Sequence, residues 1–259
     1  MTHRAAIRAS AAPGTDFLTE ACELKVAAIT PFTTIDYPGA LAAVVFVQGC
    51  PWQCRYCQND WMQSRAFAGG LRHESWQAVT QLLARRRGLL DAVVFSGGEP
   101  TMDPALAAAV REVGVRFGMQ VGLHTGGAYP RRLKAVLPGV SWVGLDVKAP
   151  PANPALYDAV TGRPGSGAAF LQSFEEVLAS GVAFEARTTA HPEHLTPEAI
   201  LETAEWLAAR GVTNYALQIY RRPPQKLFAL PAVGTDYPGK AVEAELAALF
   251  PNFRLRRDQ

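Results

Sequence analysis

Cys50, Cys54 and Cys57 stand in a C-x3-C-x2-C spacing within Gly49-Cys50-Pro51-Trp52-Gln53-Cys54-Arg55-Tyr56-Cys57. Three thiolates on one short loop can converge on a single inorganic centre. Soft sulfur ligands suit zinc or an iron–sulfur cluster, and the number of ligands separates the two. A structural zinc site takes four protein ligands, so Cys22 or His73 would have to complete it. A cubane held by three cysteines leaves one iron open to a further ligand. The spacing favours the three-cysteine cluster, with Cys22 read as a small buried hydrophobe. The rival from another class is a zinc-binding module used for protein interaction. Four cysteines in 259 residues are too few for a disulfide framework.

Further polar groups recur at the ends of apolar runs. Gly97-Gly98-Glu99 follows Ala-Val-Val-Phe-Ser at 92–96. A residue without a Cβ lets a ligand approach the backbone closely, and Glu99 can accept hydrogen bonds. His124 and Thr125 close the run at 119–124. Asp146 and Lys148 follow at 142–147, and their i, i+2 spacing on a strand puts both on one face. Arg187, Thr189 and His191 end the run at 183–189; Gln218 and Tyr220 end that at 214–220.

These groups need a frame that gathers strand ends. The β-favouring runs at 42–47, 92–96, 119–124, 142–147, 183–189 and 214–220 alternate with helical patterns at 74–87, 104–117, 131–137, 170–180 and 197–210. Such alternation predicts an α/β fold with a parallel sheet, because each parallel strand needs a crossover. Near-continuous apolar strands agree, since both faces of such a sheet are covered. Periodicity alone leaves a doubly wound sheet and a partial barrel both open. Sites form at the carboxyl ends of the strands in either case.

Three segments flank this core. Residues 1–20 read as a loose tail, 24–30 as a short strand and 31–39 as a turn-rich loop. After Tyr220 the pattern fails: 221–240 reads as a proline-rich loop, followed by a terminal helix at 241–250. The domain reading is a flexible tail at 1–20, a core at 21–221, and a loop and helix at 222–259 packed on it. Residues 221–240 combine Arg221, Arg222, Lys226 and Lys240 with Phe228, Leu230 and Tyr237. That mixture suits a protein surface, and the segment is expected to help dock a partner. With 25 basic against 23 acidic residues, neither nucleic acid nor an anionic membrane is expected as the main partner. No apolar run approaches the ~20 residues needed to span a bilayer. The first 20 residues lack a signal-peptide core, so a cytoplasmic location with reduced thiols is expected.

The cysteine loop, with Ile35-Asp36-Tyr37-Pro38-Gly39 upstream and Gln48-Gly49 directly before Cys50, resembles the radical S-adenosylmethionine (radical SAM) superfamily and its glycyl-radical-enzyme activating group. With Ser96–Pro100, the run from Asp146 to Pro150, Arg187-Thr188-Thr189 and Ala216-Leu217-Gln218, the set is most similar to the longer form of anaerobic ribonucleoside-triphosphate reductase activating proteins. The resemblance spans about 24–221. It implies a partial (β/α)6 barrel with a terminal extension, open on one side to a macromolecular substrate. It implies a 4Fe-4S cluster on Cys50, Cys54 and Cys57, with S-adenosylmethionine bound beside it. One-electron cleavage would yield methionine and a 5′-deoxyadenosyl radical that abstracts a hydrogen atom. It implies contact of Tyr56 with adenine. Gly97, Gly98 and Glu99 would hold the methionine ammonium, and Asp146 and Lys148 the ribose and carboxylate. His124, Thr125, Arg187 and Gln218 would line the cofactor pocket. Related activases often carry an acidic residue where this chain has His124. The implied partners are a glycyl radical enzyme, foremost the anaerobic reductase, and a flavodoxin- or ferredoxin-type electron donor. The alternatives are another glycyl radical enzyme or a small-molecule substrate, as for 7-carboxy-7-deazaguanine synthase.

Overall fold

A computed structural model describes residues 16–67, 73–223 and 230–257. One sheet of eight strands runs in chain order: β1 (Val26–Thr33), β2 (Ala42–Val47), β3 (Ala92–Gly97), β4 (Gln120–Thr125), β5 (Trp142–Asp146), β6 (Ala183–Ala190), β7 (Asn214–Ile219) and β8 (Asn252–Arg256). Strands β2 to β8 are parallel, and β1 pairs antiparallel with β2. β1 and β8 are the two edges, so the sheet is an open, partial barrel. The six strands expected from periodicity are β2 to β7. Most are legible as apolar runs buried on both faces: β2 reads Ala-Ala-Val-Val-Phe-Val and is almost wholly buried, whereas β6 carries Glu185, Arg187, Thr188 and Thr189.

The crossovers are helical. They include α2 (Trp76–Arg85), α3 (Leu106–Glu112), α4 (Pro130–Val136), α6 (Ser166–Ser180) and α7 (Pro197–Ala208). Local chemistry sets their ends. The Ser75 hydroxyl caps α2 at the Ala78 N–H, and Thr196 caps α7 at Ala199, with Pro197 in the first turn where its missing N–H costs nothing. The Trp76 indole donates to the buried Glu112 carboxylate at 2.7 Å, joining α2 to α3. The helix-side core is continuous from α2 round to α8 (Lys240–Leu249). A smaller apolar set fills the inner face: Tyr37, Val44, Val94 and Trp142, with the Tyr37 and Trp142 ring centroids 5.5 Å apart. Gly122 and Gly144 leave room there. A Cβ on either would lie within 3 Å of the Tyr37 ring or the Arg187 guanidinium, respectively.

Four features depart from the sequence expectations. Residues 16–20, read as tail, belong to α1 (Asp16–Ala21), which packs beside α3, with Arg111 over the Phe17 ring at 4.7 Å. Residues 1–15 lie outside the described part. β1 continues through Pro31 to Thr33, where a loop was expected; as an edge strand it tolerates a residue without an N–H. A helix α5 (Pro154–Thr161) precedes α6, capped by the Asn153 side chain. β8 was missed altogether. Its alternation Asn-Phe-Arg-Leu-Arg is a period-2 pattern, but five residues at a chain end carry little signal. Among the described residues no helix is long and apolar enough to cross a membrane.

The segment expected to dock a partner is partly tied down. Leu230 is buried, and the Tyr237 hydroxyl donates to the Leu195 carbonyl at 2.6 Å. Tyr237 is therefore a packing residue; Lys226 and Phe228 lie outside the described residues. Tyr237→Phe removes one half-buried hydrogen bond. It is expected to lower unfolding free energy by about 1 kcal/mol, read as a lower urea midpoint with unchanged slope.

Candidate active site at the carboxyl edge of the sheet

The cysteine loop leaves β2 and is stitched back on itself. The N–H groups of Gly49 and Cys50 donate to the Met62 and Gln63 carbonyls at 2.8 and 2.9 Å. The Gln48 side-chain amide donates to Ser64 at 2.6 Å, and Arg65 returns a bond to the Gln48 carbonyl at 2.8 Å. Arg65 also pairs at 2.7 Å with Asp103, whose buried carboxylate takes the N–H groups of Lys25 and Ala105. The Gln53 N–H donates to Thr161 at the end of α5. The loop is thus fixed by β1, by the turn after β3 and by α5.

The turn after β3 meets this loop in van der Waals contact. A Cβ on Gly98 would stand 2.4 Å from the Gly49 carbonyl oxygen, and one on Gly97 2.4 Å from the Val47 nitrogen; Gly97 also has φ +118°. Gly98 is therefore demanded by the cysteine loop and Gly97 by the end of β2, and both also line the cavity where sequence reading expects a ligand to approach the backbone. The Glu99 N–H donates to the Gly49 carbonyl at 2.8 Å. Its buried carboxylate accepts four hydrogen bonds: from the Thr101 N–H and hydroxyl, the Thr125 hydroxyl and the Gly126 N–H. Glu99 thus ties β3 to β4; three of these bonds fall on Oε1 and one on Oε2, and the residue lines the cavity where sequence reading expects a ligand ammonium.

One cavity of about 500 Å³ opens at this edge. It is lined by Cys50, Cys54, Tyr56, Cys57, Gly97, Gly98, Glu99, Asp146, Lys148 and Gln218, ten of the thirteen residues expected from sequence. His124, Thr125 and Arg187 do not line it. The Thr125 hydroxyl serves Glu99. His124 bonds through Nε2 to the Asp36 carbonyl at 2.9 Å and meets Trp142 edge-on. Burial and the nearby Arg187 charge lower its pKa to about 4. It is a neutral tether for the loop between β1 and β2. Arg187 is buried, stacked over Trp142 at 4.9 Å and paired with Glu185 at 2.8 Å. His191 bonds to the Pro231 carbonyl at 3.1 Å.

Lys148 and Asp146 pair at 2.8 Å on the cavity wall. Burial opposes both charges, but each outweighs it for the other: Asp146 is held below, and Lys148 well above, its ordinary value. Burial pushes the Cys50 thiol up to about 12 and the Cys54 thiol up as well. Such thiols become thiolates only where a bound metal supplies the compensating charge. The Tyr56 hydroxyl is buried in the wall with no hydrogen-bond partner among the described residues. Sequence reasoning missed Arg256 and Arg257, which reach the cavity from β8. Their signal was the basic, alternating end of the chain.

The donor set fits an iron–sulfur cluster better than zinc. Tetrahedral zinc would bring its sulfurs within about 4 Å of one another. Among the described residues no three His, Cys, Asp or Glu side chains are placed to hold one metal ion together. Cys22 is exposed, which corrects its reading as a small buried hydrophobe, and His73 stacks on Phe67 at 4.0 Å, so neither completes a zinc site at the cavity. A cubane instead takes its three cysteines on three separate irons.

The profile of the Radical SAM superfamily matches residues 44–207. The chain belongs to the radical SAM superfamily. It is an enzyme, and the superfamily's cofactors are a 4Fe-4S cluster and S-adenosylmethionine. A Methanocaldococcus jannaschii protein assigned by name to the glycyl-radical enzyme activating enzymes is 30% identical over 125 residues, 48% of this chain and 50% of that protein. The pyruvate formate-lyase-activating enzyme of Clostridium pasteurianum is 27% identical over 158 residues, 59% of this chain and 64% of that enzyme. The chain thus spans about half of the first relative and under two thirds of the second. In fold it is similar to QueE from Escherichia coli, with a TM-score of 0.58 at 16% identity, covering 95% of this chain and 100% of that one. It is similar also to SuiB from Streptococcus suis bound to its precursor peptide SuiA. There the TM-score is 0.59 at 12% identity, covering 83% of this chain and 48% of that one.

Two outcomes test this radical SAM site. Gly98→Ala forces a Cβ against backbone, so the cysteine loop must shift; reconstituted protein is expected to hold clearly less iron and sulfide than wild type by chemical assay. Glu185, between Arg187 and Arg256, is held below the ordinary 4.5 because the two guanidiniums outweigh its burial. Its contribution is complete above pH about 4.5 and is lost as pH falls through the lower native value. Glu185→Gln leaves buried Arg187 without its anion and is expected to cost about 3 kcal/mol near neutrality. The gap to wild type should shrink in denaturant titrations taken below pH 4.

Proposed function

We propose that this radical SAM enzyme activates a glycyl radical enzyme, and that its target is an anaerobic ribonucleoside-triphosphate reductase. The observation that carries the reading is sequence similarity: both relatives described above are named as activating enzymes of this kind. The ordered motifs from Ile35 to Gln218 support the reductase as target.

In this reading Cys50, Cys54 and Cys57 hold the cluster, and the unpartnered Tyr56 hydroxyl, Asp146, Lys148 and Gln218 hold S-adenosylmethionine. When bound, the pair supplies one-electron cleavage of the sulfonium and, through it, hydrogen-atom abstraction. The protein's own work is positioning and insulation. The glycine turn and Glu99 fix the cysteine loop. Lys148 keeps its proton beside Asp146, offering a cation and a carboxylate at fixed positions on one wall. Buried Trp52 and Tyr56 limit water at the cysteines. No general base is required, because a hydrogen atom leaves the glycine rather than a proton. A flavodoxin- or ferredoxin-type protein would supply the electron.

A second reading, action on a small molecule in the manner of 7-carboxy-7-deazaguanine synthase, draws on the cationic side chains Arg256 and Arg257 on the cavity wall. Anaerobic reconstitution with iron, sulfide, S-adenosylmethionine, dithionite and the candidate reductase distinguishes the two. A glycyl radical signal by electron paramagnetic resonance is the expected result, absent in Cys54→Ala. Cofactor cleavage without any radical on the reductase would overturn the target.

A further inference from the structure

Charged side chains reach the cavity wall from several strands. Those acting most on Cys50 and Cys54 are Glu99, Lys148 and Asp146. β8 brings in Arg256, followed by Arg257, and Arg221 lies beyond β7, where its carbonyl accepts from the Gln58 side-chain amide beside Cys57. Of the six charged side chains that line the cavity, four are cationic. The two anionic ones are already committed: Glu99 accepts four hydrogen bonds and Asp146 holds Lys148. Glu185 and Glu243, the partners of Arg256 and Arg257, do not line the cavity.

Arg256 is fixed in place. Its Nη2 donates to both Glu185 oxygens at 2.8 and 3.1 Å, and its Nη1 to the Gln218 side-chain oxygen at 3.1 Å. Glu185 is shared with Arg187, so one buried carboxylate serves two guanidiniums and leaves positive charge unbalanced. A planar guanidinium that is already immobilised loses little rotamer freedom on taking a further acceptor, and its fork matches a carboxylate. Arg257 bonds Glu243 of α8 and is about a quarter exposed.

The geometry points to a carboxylate-reading subsite made by Arg256 and Arg257 where β8 meets the cavity. It rests on the glycyl-radical reading, and its occupant is an acidic side chain flanking the reacting glycine of the partner protein. A free small-molecule carboxylate has the same chemistry and is separated by experiment.

The test is binding to the full-length, reconstituted protein. The probes are a fluorescein-labelled nonapeptide with Glu on both sides of a central Gly, its Gln counterpart, and succinate as competitor. The peptides are measured on wild type, Arg256→Gln and Arg257→Gln by fluorescence anisotropy, and succinate also directly by isothermal titration calorimetry, with thermal melting as the control for folding. Wild type should bind the Glu peptide at least about tenfold tighter than the Gln peptide, the factor expected of one hydrogen bond to a charged group. Arg257→Gln should erase that preference without a change in melting. Because Arg256 also braces Glu185, Arg257→Gln alone decides the test where the Arg256 variant fails to fold. Equal affinity for the two peptides overturns the subsite and leaves the glycyl-peptide reading intact. Succinate bound in an Arg257-dependent way, with neither peptide bound, overturns the occupant and the glycyl-peptide reading together. No binding of any probe overturns the subsite.

Discussion

The contact between the turn after β3 and the cysteine loop after β2 governs the rest of the site. Only a backbone without a Cβ fits there, because the Gly49 carbonyl would stand 2.4 Å from a Cβ on Gly98. The gap is closed by a hydrogen bond from the Glu99 N–H to that same carbonyl. The Glu99 carboxylate then anchors the turn to β4 through Thr125 and Gly126. Moving any one of these segments moves the sulfurs. A cluster held by three thiolates tolerates little of that, since its ligand positions must match three irons at once.

A second constraint acts inside the barrel. An open sheet of eight strands leaves a polar interior above its apolar floor of Tyr37, Val44, Val94 and Trp142. Charged groups at that depth are costly unless paired. The chain meets this with a connected set: Glu185 between Arg187 and Arg256, Gln218 between Arg256 and Thr189, and Asp146 with Lys148. His124 fits the same logic. Beside Arg187 it stays neutral, and its ring serves the Asp36 carbonyl. An acidic residue there would instead add a carboxylate beside Arg187, so the identity of residue 124 sets the charge of the interior rather than that of the cavity wall.

The strand order explains how distant parts of the chain share one cavity. Parallel strands in sequence order deliver their carboxyl ends to one rim. β8 extends that rim by one strand beyond the six-strand core, and in-register pairing sets Arg256 beside Gln218. The terminal extension is thereby part of the cavity wall.

The amino-acid sequence by itself determined the alternating α/β core, the three cysteines and the strand-end positions of Gly97, Gly98, Asp146, Lys148 and Gln218. Each of those rests on local pattern: apolar runs, turn residues and short spacings. Tertiary structure alone decided what the side chains at those positions meet. Glu99 and Thr125 bond each other because β3 and β4 are neighbours. Arg187 turns toward Glu185 and Trp142 because Gly144 leaves space on the adjacent strand. Arg256 reaches the cavity only because β8 pairs with β7, a contact between segments 38 residues apart. Such long-range pairings leave no trace in spacing or periodicity, since the energy that selects them comes from burial and charge shared between elements that are neighbours only once folded.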